Sequence, residues 1–307
     1  MCAKGCESMS EKGNKKTILN LITAACIVIL VLCLSQIIYS VVEYKKAEDK
    51  RGELDAIIDA IGSTATTETV GNTEPAVTET SETKETGTAS DTASEPVTET
   101  TEPAPVPREQ YRVIWEQISS MKEQYPDLFG WIYIKFDEKH EINLPVMQGE
   151  DNSFYILHAY DGTPSKSGSI CADYRNFGRR IDLNQNVILY GHHMNDGSMF
   201  AQIASKYKVR ANFDNVPIIF YSMDGVYTFN VFSVYNAKAE DDFNTISFSK
   251  EGLKEFCLEK QRKSFFSKKL TFDEGNTIMT LVTCTNFGSD GRVIVHGVLD
   301  GYDPFFD

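Results

Sequence analysis

One segment without any aromatic residue limits which part of this chain can fold. Residues Thr64 to Pro107 consist mainly of Thr, Glu, Ser, Ala and Pro, with nine acidic residues and a single lysine, Lys84. Such a composition cannot bury enough apolar surface to offset the entropy that is lost on ordering. We therefore predict a disordered stalk that charge repulsion keeps extended, and a folded domain that begins only near Arg108.

An uncharged apolar segment precedes the stalk. Residues 18–42 carry no charged side chain, and about 20 apolar residues span a bilayer as a helix. A retained anchor and a cleaved signal peptide are both compatible with this run. The run is longer than a signal-peptide h-region and no A-x-A-like cleavage site follows it, so we predict an anchor. The predicted organisation is a short N-terminus (1–16), a transmembrane helix (17–42), a juxtamembrane segment with the stalk (43–107) and a folded domain (108–307).

The net charge and the cysteine spacing exclude several classes of function. The formal net charge is −14, so we predict no nucleic acid partner. More than half of this charge lies in the stalk, and the folded domain is only mildly acidic. The seven cysteines form no C-x-x-C pair, which leaves a zinc site or a thioredoxin motif unsupported. No acidic run has the spacing of an EF-hand loop, and we predict neither a metal nor a cofactor.

Three cysteines follow the predicted anchor: Cys171, Cys257 and Cys284. An odd number leaves at least one thiol unpaired within the chain, and a free thiol in an exported domain requires an explanation. We interpret Cys171 and Cys257 as small buried hydrophobic residues, and a disulfide between them is the open alternative.

The folded domain shows short strand patterns separated by turns. Helices are predicted for Glu109 to Gln124, Met199 to Tyr207 and Ser249 to Phe266, with one helical turn over Phe154 to His158. Runs rich in β-branched and aromatic residues predict strands at Leu128 to Phe136, Ile142 to Met147, Gly168 to Ala172, Asn186 to Tyr190, Pro217 to Met223, Val226 to Ala237, Asn276 to Cys284 and Val293 to Leu299. This pattern is typical of a mainly β fold, a closed or nearly closed barrel with helices packed outside.

A cysteine ends one of these strands and an arginine opens the next. Cys284 follows Thr280-Leu281-Val282-Thr283, and Arg292 comes after a polar, glycine-rich turn. Strands joined by a short loop are usually neighbours in a sheet. A nearby cation stabilises a thiolate and also the oxyanion that forms when the thiolate attacks a carbonyl. A cysteine alone in a strand would more simply be a buried hydrophobic residue.

A histidine lies at the end of another predicted strand. His192 follows Tyr190-Gly191 and precedes His193. Neighbours on an extended strand point to opposite sides, so we select His192 for the site and interpret His193 as structural. A histidine can protonate a leaving amine and deprotonate an incoming nucleophile, provided that the fold brings it close to the cysteine.

Together these segments resemble the sortase family, and in particular its class B branch. The run Thr280 to Cys284, followed by Arg292, is similar to the T-L-x-T-C…R signature of sortases. The run Tyr190 to Met194, with Gly197 to Phe200 after it, is similar to the histidine segment of class B. The long helix before the cysteine strand and the helix before the barrel also match that branch. The resemblance covers about residues 108–307, together with the anchor.

The resemblance implies an eight-stranded β-barrel that acts as a cysteine transpeptidase. Cys284 matches the nucleophile of the family, His192 its acid and base, and Arg292 the residue that stabilises the oxyanion. Thr283 and Ser198 are predicted to contact the substrate. The enzyme would cleave the C-terminal sorting motif of a surface protein after its threonine, form a thioester, and transfer the protein to an amine of the peptidoglycan cross-bridge.

The resemblance also implies a location and partners. Lysines flank the apolar run on both sides, so the positive-inside rule does not set its orientation. From the implied activity we predict a single-pass protein of the cell membrane, with a cytoplasmic N-terminus and an extracellular catalytic domain that faces the cell wall. Its partners would be surface proteins with a sorting motif, the cross-bridge amine, and membrane lipid around the anchor.

Two other functions are kept as alternatives. A membrane-anchored cysteine peptidase would share the Cys–His pair but would release only free acid, whether or not an amine is added. A non-catalytic surface binding module would keep its function after Cys284→Ala. We prefer the transpeptidase, because a binding barrel has no reason to place Cys, His and Arg at three strand ends.

Overall fold

Eight strands form a closed barrel in the computed structural model. The structure describes Ser35, Val42 and residues 107–178, 180–284 and 291–307. The strands are β1 (Leu128–Asp137), β2 (His140–Met147), β3 (Ile170–Ala172), β4 (Asn186–Tyr190), β5 (Ile218–Tyr221), β6 (Gly225–Lys238), β7 (Ile278–Cys284) and β8 (Gly291–Pro304). Their order around the barrel is β1-β2-β3-β4-β7-β8-β6-β5. The predicted mainly β class and the barrel are confirmed.

Most neighbouring strands in the barrel run antiparallel. The exceptions among the described strands are the β2–β3 and β4–β7 pairs, which are parallel. Parallel neighbours need a long crossover connection, and the β4–β7 crossover contains two strands and three helices. The strand that ends at Cys284 therefore lies between a distant parallel partner, β4, and its own hairpin partner, β8.

Four α-helices pack outside the barrel. They are α1 (Arg112–Gln124), α2 (Ala201–Lys206), α3 (Arg210–Asn215) and α4 (Gly252–Lys263). A 3₁₀ turn, Glu109–Tyr111, leads into α1, so the predicted N-terminal helix is confirmed. Helix α1 buries Ile114 and Ile118 in one cluster with Leu128 and Trp131 of β1.

Two helix predictions differ from the structure in detail, and one short helix was not predicted. Helix α4 is shorter than predicted because the backbone of Ser264 is extended and its Oγ accepts a hydrogen bond from the amide of Val234 on β6, at 3.0 Å. The predicted helical turn at Phe154 is a hydrogen-bonded turn that does not continue as a helix. Helix α3 was not predicted, because its six residues bury only Phe213 and so show no helical period.

Apolar side chains fill the barrel. On β7 the inward-facing residues include Met279 and Leu281, and on β8 they include Val293 and Val295. Successive residues of a strand point to opposite faces, so the residues between them face outward. The barrel is thus a packed frame whose interior is closed to substrate, and a site must be built on its wall.

The outer face of β4, β7, β8 and β6 is also buried, because other segments cover it. Helix α4 places Leu253 in one cluster with Ile278 of β7. The irregular segment between β6 and α4, residues 239–251, is called the strap here. Its residue Phe243 is buried in a cluster with Val282 of β7. The strap therefore lies against the strands that carry the predicted site.

Nearly all of the predicted transmembrane helix (17–42) and of the segment 43–107 lies outside the described residues. Ser35 and Val42 are described, and both are helical. Among the residues that the structure describes, no helix is both long and apolar enough to cross a bilayer. The boundaries of the anchor and the stalk stay predictions.

Candidate active site

The ends of β4 and β7 and the start of β8 meet at one edge of the barrel wall. In the parallel β4–β7 pair, Tyr190 lies opposite Val282. In the antiparallel β7–β8 pair, Cys284 lies opposite Arg292. His192 follows Tyr190 by two residues, as Cys284 follows Val282. The register thus brings the backbones of the three predicted catalytic residues to the same edge.

Close packing on both sides fixes the backbone at His192. The amide of Gly191 donates to the carbonyl oxygen of Val282 at 3.1 Å, and the amide of Phe200 donates to the carbonyl oxygen of His192 at 2.9 Å. A Cβ on Gly191 would lie 2.5 Å from the Cδ1 of Ile170 and 2.8 Å from the ring of Phe200. Only glycine lets the chain pass this close, which explains the glycine before the histidine.

One ring nitrogen of His192 is committed to a backbone hydrogen bond. Its Nε2 lies 2.8 Å from the carbonyl oxygen of Ile156. A carbonyl oxygen only accepts hydrogen bonds, so Nε2 carries a proton in both the neutral and the charged ring. Nδ1 is therefore the nitrogen that gains and loses a proton, and any acid–base role of His192 passes through it.

Arg292 is the second residue of β8 and is half-buried. Its Nη1 donates to the carbonyl oxygen of Gly291 at 3.0 Å, and its backbone pairs with Cys284 on one side and Ala237 of β6 on the other. The sulfur of Cys284 and residues 285–290 lie outside the described part of the chain. The side-chain pairing of Cys284 with His192 and Arg292 therefore stays a prediction.

The two residues predicted to contact substrate differ in exposure. Thr283 is 1% exposed, and its Oγ1 has no hydrogen-bond partner among the described residues. Ser198 is half-exposed; its Oγ and its amide both donate to Asp196 Oδ1, at 2.6 and 2.9 Å. Asp196 thus stabilises a turn, and Ser198 belongs to the same turn. Substrate contact by Thr283 and Ser198 stays a prediction.

The remaining histidines of the domain have other partners. His193 forms an isolated bridge with Met199. The His140 Nδ1 lies 2.6 Å from a carboxylate oxygen of Asp137, and the ring of His158 stacks on Phe154. Within the described part of the chain, no three His, Cys, Asp or Glu side chains are grouped closely enough to hold a metal ion.

His296 is a buried residue of the outer face and does not lie at the predicted site. It is fully buried between β7 and β6, with hydrogen-bond partners on both strands. Burial, together with the nearby charge of Lys260, lowers its pKa from 6.5 to about 3. The ring is therefore neutral in the folded protein near neutral pH.

Cys171 and Cys257 are free and buried. Their interpretation as small hydrophobic residues is confirmed, and the alternative disulfide between them is wrong. Burial raises the pKa of each thiol to about 12, and at Cys171 the carboxylate of Asp173 adds to the effect. Neither thiol is suited to act as a nucleophile.

A buried carboxylate near the site was not found from the sequence. Asp173 accepts hydrogen bonds from the Tyr190 hydroxyl at 3.0 Å, Asn152 Nδ2 at 2.9 Å and Arg175 Nε at 2.7 Å. Burial alone would raise the pKa of Asp173, but these hydrogen bonds lower it overall. This network fixes the last residue of β4, two residues before His192. No sequence motif predicts this hydrogen-bond network.

Comparison with known proteins identifies relatives of this chain. A family model described as "Sortase domain" matches residues 138–300, which include all three predicted catalytic residues. The chain is 31% identical to sortase B of Staphylococcus aureus over 183 residues, which are 58% of this chain and 72% of the relative.

Solved structures show the same likeness. A mutant form of Clostridium perfringens sortase B superposes with a TM-score of 0.57 at 29% identity, over 63% of this chain and 90% of the other. A Staphylococcus aureus sortase B–substrate complex gives a TM-score of 0.54 at 29% identity, over 60% of this chain and 85% of the other. The barrel and the sequence signature thus lead to the same set of proteins.

Proposed function

Because this chain belongs to the sortase family, in its class B branch, we propose that it attaches surface proteins to the cell wall, with Cys284, His192 and Arg292 as its catalytic residues. The family assignment makes the chain a cysteine transpeptidase. The observation that carries the residue roles is the strand register, in which Cys284 lies opposite Arg292 while β4 delivers His192 to the same edge.

The first half of the proposed reaction forms a thioester. The thiolate of Cys284 attacks the carbonyl carbon of the threonine itself in the sorting motif, and the carbonyl electron pair moves onto its oxygen. The guanidinium of Arg292 stabilises this oxyanion. As the threonine carbonyl re-forms, the C–N bond to the next residue breaks, and the leaving amine takes the proton from Nδ1 of His192.

The second half transfers the acyl group. An amine attacks the thioester carbon, His192 Nδ1 takes up the excess proton, and the Cys284 thiolate leaves. The enzyme returns to its starting protonation state and one amide has been exchanged for another. The hydrogen bond from Nε2 to the Ile156 carbonyl oxygen supports this assignment, because it holds the ring in one orientation while Nδ1 changes its charge.

The proposed substrate is the C-terminal sorting motif of a surface protein, of the N-P-x-T-x kind or a variant. A class B relative from Staphylococcus aureus has been solved with its substrate, which supports a peptide ligand. We further propose that the acceptor is an amine of the peptidoglycan cross-bridge. The apolar run 18–42 and the low-complexity stalk support a single-pass membrane protein with an extracellular catalytic domain.

Product analysis tests the proposed function. The full-length chain is incubated with a panel of sorting peptides, with and without hydroxylamine as a simple amine nucleophile. We expect the amine to convert the product from the free acid to the hydroxamate and to accelerate release of the C-terminal fragment. Free acid alone, released at an unchanged rate, would identify a peptidase. No cleavage of any peptide, with unchanged ligand binding by Cys284→Ala, would favour a binding module.

A further inference from the structure

A chain of buried hydrogen bonds crosses the outer face of the barrel and ends on the strap. It links Tyr235 of β6, His296 of β8, Thr280 of β7 and Asn186 of β4. Asn186 Nδ2 then donates to the carbonyl oxygen of Thr245 on the strap, at 2.8 Å. His296, Thr280 and Asn186 are each fully buried. Four strands are thus connected to one irregular segment through side chains that are buried on the barrel wall.

The chemistry of the side chains fixes which group donates and which accepts in each of these hydrogen bonds. Thr280 Oγ1 donates to Asn186 Oδ1 at 2.7 Å. A hydroxyl has a single proton, so His296 Nδ1, which lies 2.8 Å from the same oxygen, is a donor. The neutral ring then accepts at Nε2 from the Tyr235 hydroxyl, at 3.2 Å. Every link is satisfied, and the amide of Asn186 connects this series of hydrogen bonds to the strap.

The strap lies beside the strand ends that carry the site. Its residue Phe243 is buried in one cluster with Val282 and Ile294, which stand two residues before Cys284 and two after Arg292. The backbone of the strap is held elsewhere by Arg175 Nη2, which donates to the Asn244 carbonyl oxygen at 3.2 Å. Displacement of the strap would therefore disturb the packing beside the strand ends that carry Cys284 and Arg292.

We infer that Asn186 is a positioning residue for substrate binding, an inference that rests on the proposed function. It acts through the Thr245 carbonyl and the strap, and it does not touch the reacting atoms. It keeps the strap in register with the strand ends at Cys284 and Arg292. This also assigns a role to Thr280, the first residue of the T-L-x-T-C run, as the link that orients the Asn186 amide.

The substitution Asn186→Asp separates this role from general packing. The new carboxylate keeps the size of the side chain and an acceptor for Thr280, but it sets an oxygen against the Thr245 carbonyl oxygen where a donor stood. A matched control is Asn184→Asp. Asn184 is also buried, and its Nδ2 donates to the carbonyl oxygens of Phe177 and Ile181, within its own loop and away from the strap.

The experiment measures kcat and KM of the full-length chain with the best peptide of the panel. Asn186→Asp should raise KM about tenfold, the effect of one lost buried hydrogen bond, and change kcat less than twofold. Asn184→Asp should leave KM unchanged. If Asn186→Asp does not fold, Thr280→Val is the milder variant and should raise KM in the same direction. An unchanged KM in a folded Asn186 variant, or an equal rise in the Asn184 control, would overturn the inference.

Hydrogen exchange separates this inference from the proposed function. The amides of residues 239–251 should exchange faster in Asn186→Asp than in the parent chain, while the amides of β7 and β8 keep their protection. This readout does not depend on any substrate. Slow exchange in the strap of the variant would refute the positioning role even if transpeptidation is confirmed; faster exchange in a chain that transfers no peptide would refute only the proposed function.

Discussion

The two faces of strands β4, β7, β8 and β6 are both buried, but they are built from different chemistry. The inner face contributes apolar side chains to the barrel interior, such as Leu281 and Val295. The outer face, beneath the strap and α4, also buries polar groups, among them His296 and Thr280. Apolar packing is non-directional and supplies stability, whereas buried hydrogen bonds are directional and specify one arrangement. The comparison suggests that the inner face holds the fold together and the outer face positions the site.

The largest expected effect concerns the three thiols of the domain. In the native chain, iodoacetamide should modify Cys284 about 10³ times faster than Cys171 or Cys257, because their pKa of about 12 leaves few thiolates at pH 8. The measurement is peptide mapping over time, with a denatured sample as the control in which all three react alike. Equal rates of modification in the native chain would contradict the distinction between the two packed cysteines and the proposed nucleophile.

The second prediction separates activity from stability at Arg292. Replacement by glutamine should lower kcat by about 10²–10³-fold, as expected for the loss of one group that stabilises an oxyanion. The melting temperature should hardly change, because the side chain is half-buried on the outer face. The control is Arg262→Gln, on an exposed arginine of α4. A kcat within a few-fold of the parent value would show that Arg292 has no such role.

The third prediction concerns the inner face, where a substitution should lower stability and leave activity unchanged. Ile132 of β1 is fully buried in the barrel interior, and Ile132→Ala should lower the free energy of unfolding by about 2–5 kcal/mol. The kcat of the remaining folded molecules should stay the same. Leu183→Ala removes a comparable side chain that is 65% exposed, and it should cost less than about 0.5 kcal/mol. Urea denaturation checks both, and a loss of kcat in folded Ile132→Ala would contradict the assignment.

The smallest expected effect, over the first pH unit below 6.5, is a pH dependence from His296. Its folded pKa of about 3 lies below its ordinary value of 6.5, so the unfolded chain binds the extra proton first. The stability from this group is complete above pH 6.5 and falls as the pH drops toward 3, by up to about 1.4 kcal/mol per pH unit. His296→Gln should therefore make the stability of the protein less dependent on pH below 6.5. Parallel slopes for the parent and His296→Gln would contradict the burial of a neutral ring.

Much of the fold could be predicted because its strands carry local signals. The runs of apolar and β-branched residues predicted the strand Asn186–Tyr190 with its observed bounds, and they predicted a strand that ends at Cys284. The two strands predicted on either side of Asp224-Gly225 pair as the β5–β6 hairpin. Helix α3 was missed, because six residues with one buried side chain carry no periodic pattern.

The candidate site could be predicted only as a set of residues. The parallel pairing of β4 with β7, which brings His192 level with Cys284, depends on contacts between distant segments and has no local signal. For the same reason the chain from Tyr235 to Thr245 was not visible in the sequence, since its members come from four strands and the strap. Individually they are ordinary polar residues, and only the fold reveals that they are buried together.

The central claim is that Cys284 forms the thioester, and mass spectrometry of the trapped enzyme tests it most directly. The full-length chain is mixed with the panel of sorting peptides, quenched in acid, digested and mapped. The account predicts an adduct with the mass of the peptide up to its threonine, on the fragment that contains Cys284, and no adduct in Cys284→Ala. An adduct on Cys171 or Cys257, or peptide transfer by Cys284→Ala, would contradict it.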